Sequence, residues 1–179
     1  MKIDVKQTDF TPVIEISIAD QSLTLHLANE VKQYAISTAK KGVGQRKGSN
    51  QTPLGWHTIR AKIGAGARPN SVFVGRRFSG EIYTPELAQQ FPQRDWILSR
   101  ILWLSGCEIG RNRLGHVDSM QRYIYIHGTP DTEPMGVPES HGCIRMRNSD
   151  VIELFDLIPV NTLVWLQEST LKRIPCRSV

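Results

Sequence analysis

The chain has 179 residues, 40% apolar and 22% charged, the composition of one ordinary globular domain rather than of a disordered, collagen-like or coiled-coil chain. At that length folding buries roughly 70% of the surface an extended chain exposes, so a core forms without disulfide staples or a structural metal. Lys and Arg number 22 against 17 Asp and Glu, a net charge of +5 that suits an acidic ligand as well as plain solubility.

The opening Met1-Lys2-Ile3-Asp4, followed by Asp9 and Glu15, lacks the uninterrupted apolar run of a secretory signal. The most apolar late stretch, 151–166, is broken by Glu153, Asp156 and Pro159 and is too short for a membrane span. A cytoplasmic protein with no membrane partner is expected. The first strands are signalled by period-2 alternation: Ile14, Ile16 and Ile18, then Leu23, Leu25 and Leu27, with Ala19-Asp20-Gln21 as the hairpin between them. A third run over 31–38 makes the opening an antiparallel meander.

Residues 40–55 are rich in Gly, Lys and polar side chains and read as a loop before a strand over 56–63. This loop is not a phosphate cradle, because five residues separate Gly42 from Gly48 and the order is Lys47-Gly48-Ser49. Its basic residues, Lys40, Lys41, Arg46 and Lys47, have no aromatic residues among them, so no nucleic-acid partner is expected. From 77 to 121 the pattern is irregular, with a short helix over 85–91 and an apolar run over 97–104, and a lid or insertion is expected there. A strand over 123–127 then leads into His127-Gly128-Thr129-Pro130 and a loop containing Pro134, Gly136 and Pro138. Asn148 is the expected cap of a helix carrying Val151, Leu154, Phe155 and Ile158 on one face and stopped by Pro159, and 162–167 is a last strand. The whole of 1–179 reads as a single domain with no internal repeat.

Three cysteines, Cys107, Cys143 and Cys176, contain no Cys-x-x-Cys pair, and their odd number leaves at least one thiol unpaired, as in a reducing compartment. Cys143 stands out. It follows Gly142, lies between a polar loop and a helix, and has His141 two residues and His127 sixteen residues before it. A cysteine nucleophile reacts as the thiolate, and an imidazole within reach can take its proton and return it to a leaving amine. Gly142, lacking Cβ, lets backbone N–H groups point toward a developing oxyanion. Arg145 can either anchor a substrate carboxylate or hold the loop through backbone carbonyls. Cys107 and Cys176, without neighbouring histidines, read as structural or incidental.

The string Ser140-His141-Gly142-Cys143-Ile144-Arg145-Met146, preceded by Ile126-His127-Gly128-Thr129, resembles the signature of the YkuD-type L,D-transpeptidase catalytic domain. Gln51-Thr52-Pro53-Leu54-Gly55-Trp56 is similar to the family's Thr-Pro-x-Gly-aromatic segment, and Ala35-Ile36-Ser37-Thr38-Ala39 to the strand before it. The resemblance implies a mainly β fold, a YkuD-like sandwich of mixed sheets with a few short helices and a long lid-like insertion over 77–121. It implies Cys143 as nucleophile, His127 as base with the Gly128 carbonyl holding its tautomer, Gly142 at the oxyanion site, and His141 either assisting that site or orienting the loop. Ser140, Gly128, Thr129 and Arg145 would line the substrate. No cofactor or metal is implied. The substrate would be a peptidoglycan tetrapeptide stem or muropeptide, cleaved between meso-diaminopimelate and D-alanine, and carbapenems would be inhibitors. Without an export signal the acceptor is expected to be water, making an L,D-carboxypeptidase of peptidoglycan recycling. The alternatives are crosslinking transpeptidation, a zinc peptidase using His116, Asp118, His127 and Cys143, and a non-catalytic wall-fragment binder. Stem carboxylates would suit Lys40, Lys41, Arg46 and Lys47, or Arg76 and Arg77.

Overall fold

The computed structural model describes residues 11–169. The predicted meander is present: β1 (Val13–Ser17), β2 (Ser22–His26) and β3 (Val31–Ala35) pair antiparallel in order. β4 (Gly55–Ile63), β5 (Ser71–Val74), β6 (Arg77–Ile82) and β7 (Ile97–Gly106) follow, with helix α1 (Pro85–Gln90) before β7. β8 (Tyr125–Gly128), β9 (Ile144–Met146), helix α2 (Asn148–Leu157) and β10 (Leu163–Gln167) complete the described elements. The strands form one curled mixed sheet, β3-β2-β1-β10-β4-β7-β5-β6, with β8 on β7 and β9 on β8. Only β1–β10 and β8–β9 are parallel. No described helix is long and apolar enough to cross a membrane.

Alternation decides which side chains enter the core. Ile14, Ile16, Leu23, Leu25, Ile59, Leu102, Leu104, Ile126, Ile144, Met146, Val164 and Leu166 fill the inside of the curl, closed by Val151, Leu154 and Phe155 of α2. The opposite, outer face of β7, β8 and β9 carries a smaller cluster of Phe73, Ile101 and Tyr125, against which Trp103 and Cys143 pack. The thiol therefore lies on the far side of the sheet from the main core.

The stretch 77–121 is not one excursion. Residues 97–106 are β7, paired with β4, β5 and β8, so the apolar run expected within a lid is the middle of the sheet. Outside the sheet's middle, 77–96 holds β6 and α1, and 107–121 is a loop braced from within. In that loop both Asp118 oxygens accept backbone N–H groups, from Leu114 at 2.7 Å and Gln121 at 3.0 Å.

Asn148 is the first residue of α2 rather than its cap, a place taken by Arg147 without a side-chain bond. Its side chain turns inward, where Nδ2 donates to the Thr129 carbonyl at 2.9 Å and Oδ1 accepts from Ser99 Oγ at 2.5 Å. Asn148 thus ties the helix start to β7 and to the chain just after β8. The Cys107 N–H donates to Trp56 O at 2.9 Å, at the end of β7. Cys176 lies outside the described residues.

His57 on β4 is fully buried and bonds at both ring nitrogens, to Gly55 O at 3.0 Å and Ser119 Oγ at 2.8 Å. Burial lowers its pKa to about 4. The unfolded chain, with an ordinary histidine, binds a proton that the folded chain refuses until that value, so stability falls as pH drops from about 6.5 toward 4. The expected loss across that window is about 3 kcal/mol. Urea unfolding at pH 7, 5.5 and 4.5 measures it, and His57→Gln should remove most of the slope.

Candidate active site

The β8–β9 register places Ile126 opposite Ile144 and His127 opposite Arg145. One residue earlier, Tyr125 faces Cys143, and its N–H donates to Cys143 Sγ at 3.4 Å. Period 2 then sets Tyr125, His127, Cys143 and Arg145 on the same outer face, with His127 one diagonal step from the thiol. His127 is buried, and its Nδ1 lies 2.8 Å from the Gly128 carbonyl. A carbonyl only accepts, so Nδ1 carries the proton and Nε2 is the basic nitrogen. Gly128 cannot carry a side chain: a Cβ there would stand 2.6 Å from both Asn148 Oδ1 and Leu98 O.

Burial acts on both groups of the pair in the direction of neutrality. It pushes the Cys143 thiol up to about 12, against the opposing effects of the Tyr125 N–H and of Arg145 and Arg122. It also holds His127 below the ordinary histidine range, partly offset by Asp95. The resting site is thus a thiol beside a neutral imidazole, with Sγ donating to the Tyr123 carbonyl at 3.4 Å.

The turn before Cys143 is built by residues expected to touch substrate. Ser140 is buried; its Oγ donates to Cys143 O at 2.6 Å and accepts the Gly142 N–H at 3.2 Å. Ser140 therefore braces the turn and takes up the Gly142 N–H expected to face an oxyanion. What Gly142 supplies is its backbone, at φ +132° with Gln51 O and Ile124 Cδ1 each 3.4 Å from where a Cβ would stand. Thr52, from the Thr-Pro segment, donates to Gly142 O and accepts from Ala39 N, both at 3.0 Å. Ser37 pairs with Arg145 through both backbone groups, so the Ser-Thr strand also supports the turn. Thr129 is buried, with its N–H on Met146 O, though it reaches the wall of the cleft beside Arg145.

Arg145 has a settled partner set: Nη2 on Asp95 at 2.7 Å, with Glu133 at 3.5 Å and the Glu139 carbonyl at 3.4 Å from Nη1. It clasps the Asp95 loop to two points of the 129–143 loop, while its buried Nε has no partner among the described residues. His141 is exposed, with Nδ1 3.7 Å from Asp95. It separates two clefts, one of about 220 Å³ lined by Asp95, Glu133 and Arg145, the other of about 150 Å³ lined by Lys47, Asn50 and Arg122. Of the other basic residues, Lys40 pairs with Glu139 at 3.0 Å.

Two contributors carried no sequence signal. Asp95, in the loop before β7, links Arg145 and His141 and acts electrostatically on both His127 and Cys143. Arg122 donates to the carbonyls of Gly44 at 3.0 Å, Gln45 at 2.9 Å and Gln51 at 2.5 Å, pinning the 40–55 loop beside the thiol. The set His116, Asp118, His127 and Cys143 is not brought together, and no three such side chains converge among the described residues.

Residues 11–166 match the YkuD family, the L,D-transpeptidase catalytic domain. YqjB of Bacillus subtilis, named as an L,D-transpeptidase, is 49% identical over 43 residues, 24% of this chain and 24% of its own length. YbiS of Escherichia coli K12, of the same designation, is 41% identical over 51 residues, 28% of this chain and 17% of its own. Among solved structures, L,D-transpeptidase 3 of Mycobacterium tuberculosis, in complex with a faropenem-derived adduct, aligns with a TM-score of 0.53 at 16% identity. That alignment covers 88% of this chain and 60% of the other. An L,D-transpeptidase from Mycobacterium smegmatis gives 0.50 at 19% identity, covering 87% and 58%. These likenesses carry the fold, and the chain spans about 60% of the length of the two solved relatives.

Two measurements probe the site. Thr52→Val leaves the buried Ala39 N–H without an acceptor and should lower the unfolding free energy by about 1–3 kcal/mol, with Thr52→Ser retaining most of it. Since a raised pKa keeps the thiol protonated, iodoacetamide alkylation of Cys143 should speed up about tenfold per pH unit between 7 and 9. A rate already level below pH 8 would mean that a thiolate–imidazolium pair exists at rest.

Proposed function

The chain belongs to the L,D-transpeptidase catalytic-domain family, and from that premise we propose that it is a cysteine-dependent L,D-carboxypeptidase of peptidoglycan stem peptides. The observation that carries this reading is the placement of Cys143 on one sheet face with His127, whose Nδ1 is held by the Gly128 carbonyl. As substrate displaces water, the Cys143 proton passes to His127 Nε2 and sulfur attacks the carbonyl carbon of the bond between the diamino acid and D-alanine. The tetrahedral oxyanion collapses, the His127 proton goes to the departing amine, and D-alanine leaves a thioester on Cys143. Water, deprotonated by His127, then attacks the thioester, and the tripeptide leaves as the His127 proton returns to the Cys143 sulfur. Asp95 favours the imidazolium that forms in both halves of the cycle.

Water rather than an amine as acceptor is supported by the smaller cleft beside His141, where Lys47 and Arg122 disfavour an incoming ammonium. A cytoplasmic recycling setting is part of the same proposal. The second reading, crosslinking transpeptidation, draws on the names of the relatives and on the presence of two clefts that meet at His141.

Incubating the protein with a disaccharide tetrapeptide, with and without an amine acceptor, and identifying products by mass tests this directly. Tripeptide and free D-alanine are expected as the main products, and Cys143→Ala should reduce their release at least about 1,000-fold. Crosslinked dimers as the main product would transfer the assignment to the second reading, and equal release by Cys143→Ala would remove the nucleophile. A carbapenem should add its mass to the wild-type chain and not to Cys143→Ala. Cell fractionation, with the protein expected in the soluble cytoplasmic fraction, tests the setting.

A further inference from the structure

The outer face of the sheet continues past Cys143. Trp103 stands opposite Tyr125 across the β7–β8 ladder, and Tyr125 faces Cys143, so the three side chains form a row on one face. The Trp103 ring meets Tyr125 edge-on at 6.1 Å and Tyr123 at 6.3 Å. Beyond Trp103 opens a groove of about 680 Å³ whose walls include Thr58, Arg60, Arg113 and Asn161. It is about three times the volume of the cleft beside Arg145.

Three guanidiniums stand along this row without a carboxylate at ion-pair distance among the described residues, whereas Arg94, Arg111 and Arg145 each have one. Arg76, at the β5–β6 turn, lies 4.6 Å from the Trp103 ring and 4.8 Å from Tyr123, and its Nη1 donates to Tyr125 Oη at 3.0 Å. Arg60 lies 5.7 Å from the same indole, so at most about 10 Å separates the two cations. Arg113 is exposed on the far wall of the groove. An anion entering between them is attracted by both cations, and the indole and tyrosine rings hold Arg76 in place to meet it.

We propose that this groove is a subsite for a carboxylate-bearing stretch of the substrate, an acidic peptide whose carboxylates meet Arg76 nearest the thiol and Arg60 and Arg113 farther out. The proposal rests on the peptidase reading above and adds the part of the substrate that lies away from the scissile bond. It also accounts for part of the positive charge of the chain, locating it on one face rather than in the Lys-rich 40–55 loop.

Binding to the Cys143→Ala protein, read by calorimetry, tests the subsite without requiring turnover. The ligands are a tetrapeptide stem with free carboxylates and the same peptide with all but its C-terminal carboxylate amidated. The Arg60→Gln/Arg113→Gln double variant should bind the acidic peptide about tenfold more weakly and the amidated one equally, with Arg60→Lys/Arg113→Lys recovering most of the affinity. Raising the salt concentration should weaken only the acidic peptide. The subsite is overturned if unsubstituted arginines bind both peptides equally, if neither peptide binds, or if the double variant binds the acidic peptide undiminished. Equal weakening of both peptides by the double variant would likewise overturn it, pointing to a general disturbance of the groove. Charge-dependent binding without D-alanine release by the wild type would sink the peptidase reading and leave the subsite standing.

Discussion

β8 and β9 run side by side in the same direction, and a parallel pair cannot be closed by a tight turn. The chain must travel from one end of the pair back to the other, and here it does so through residues 129–143 without a helix. Everything distinctive about the site follows from that constraint. His127 ends one strand and Cys143 precedes the other, so their adjacency depends on a long loop being held in one path. Ser37 and Thr38 pair with it, Arg145 clasps it to the Asp95 loop, and the Arg147 guanidinium donates to the carbonyls of Asp131 and Glu133. The recurring Thr-Pro and Ser-Thr segments serve the same end. They are distant in sequence from the nucleophile but supply the hydrogen bonds that fix its turn.

Placing the thiol on the outer face has an energetic consequence. The inner face is closed by α2 and filled with aliphatic side chains, while the outer face is covered only in part, by the β5–β6 hairpin and aromatic rings. Partial cover removes enough water to favour the neutral forms of both Cys143 and His127. A neutral pair avoids leaving a buried charge unpaired in the absence of substrate. Asp95, Arg145 and Arg122 are the charges that act on this pair.

Much of the fold was legible because alternation is a local signal. Ile14 with Ile16, Leu23 with Leu25 and Val164 with Leu166 announce strands from their own neighbours, and all six are in the core. β7 was less legible, since Ser99 and Arg100 interrupt its apolar run and Ser99 sits at φ +65° where the ladder to β8 shifts register. Asn148 was misassigned for a related reason. A polar residue at a helix start favours capping by default, and only the nearness of Ser99 and Thr129 directs its side chain inward. Asp95 and Arg122 have no motif at all, because a charge becomes part of a site through three-dimensional neighbours.

The sequence by itself determined the chemistry available: a thiol after a glycine, two histidines at set distances, alternating strands and a surplus of cations. The tertiary structure decided which of those groups act together. It put His127 rather than the exposed His141 on the buried diagonal from the thiol, and gave Ser140 and Arg145 bonds that brace the loop. It left Arg60, Arg76 and Arg113 without acidic partners along the same face. The physical reason is that residue type and spacing are properties of the chain. Burial, register and the partner of each charge are set by long-range pairing, which here joins segments as far apart as Thr52 and Gly142.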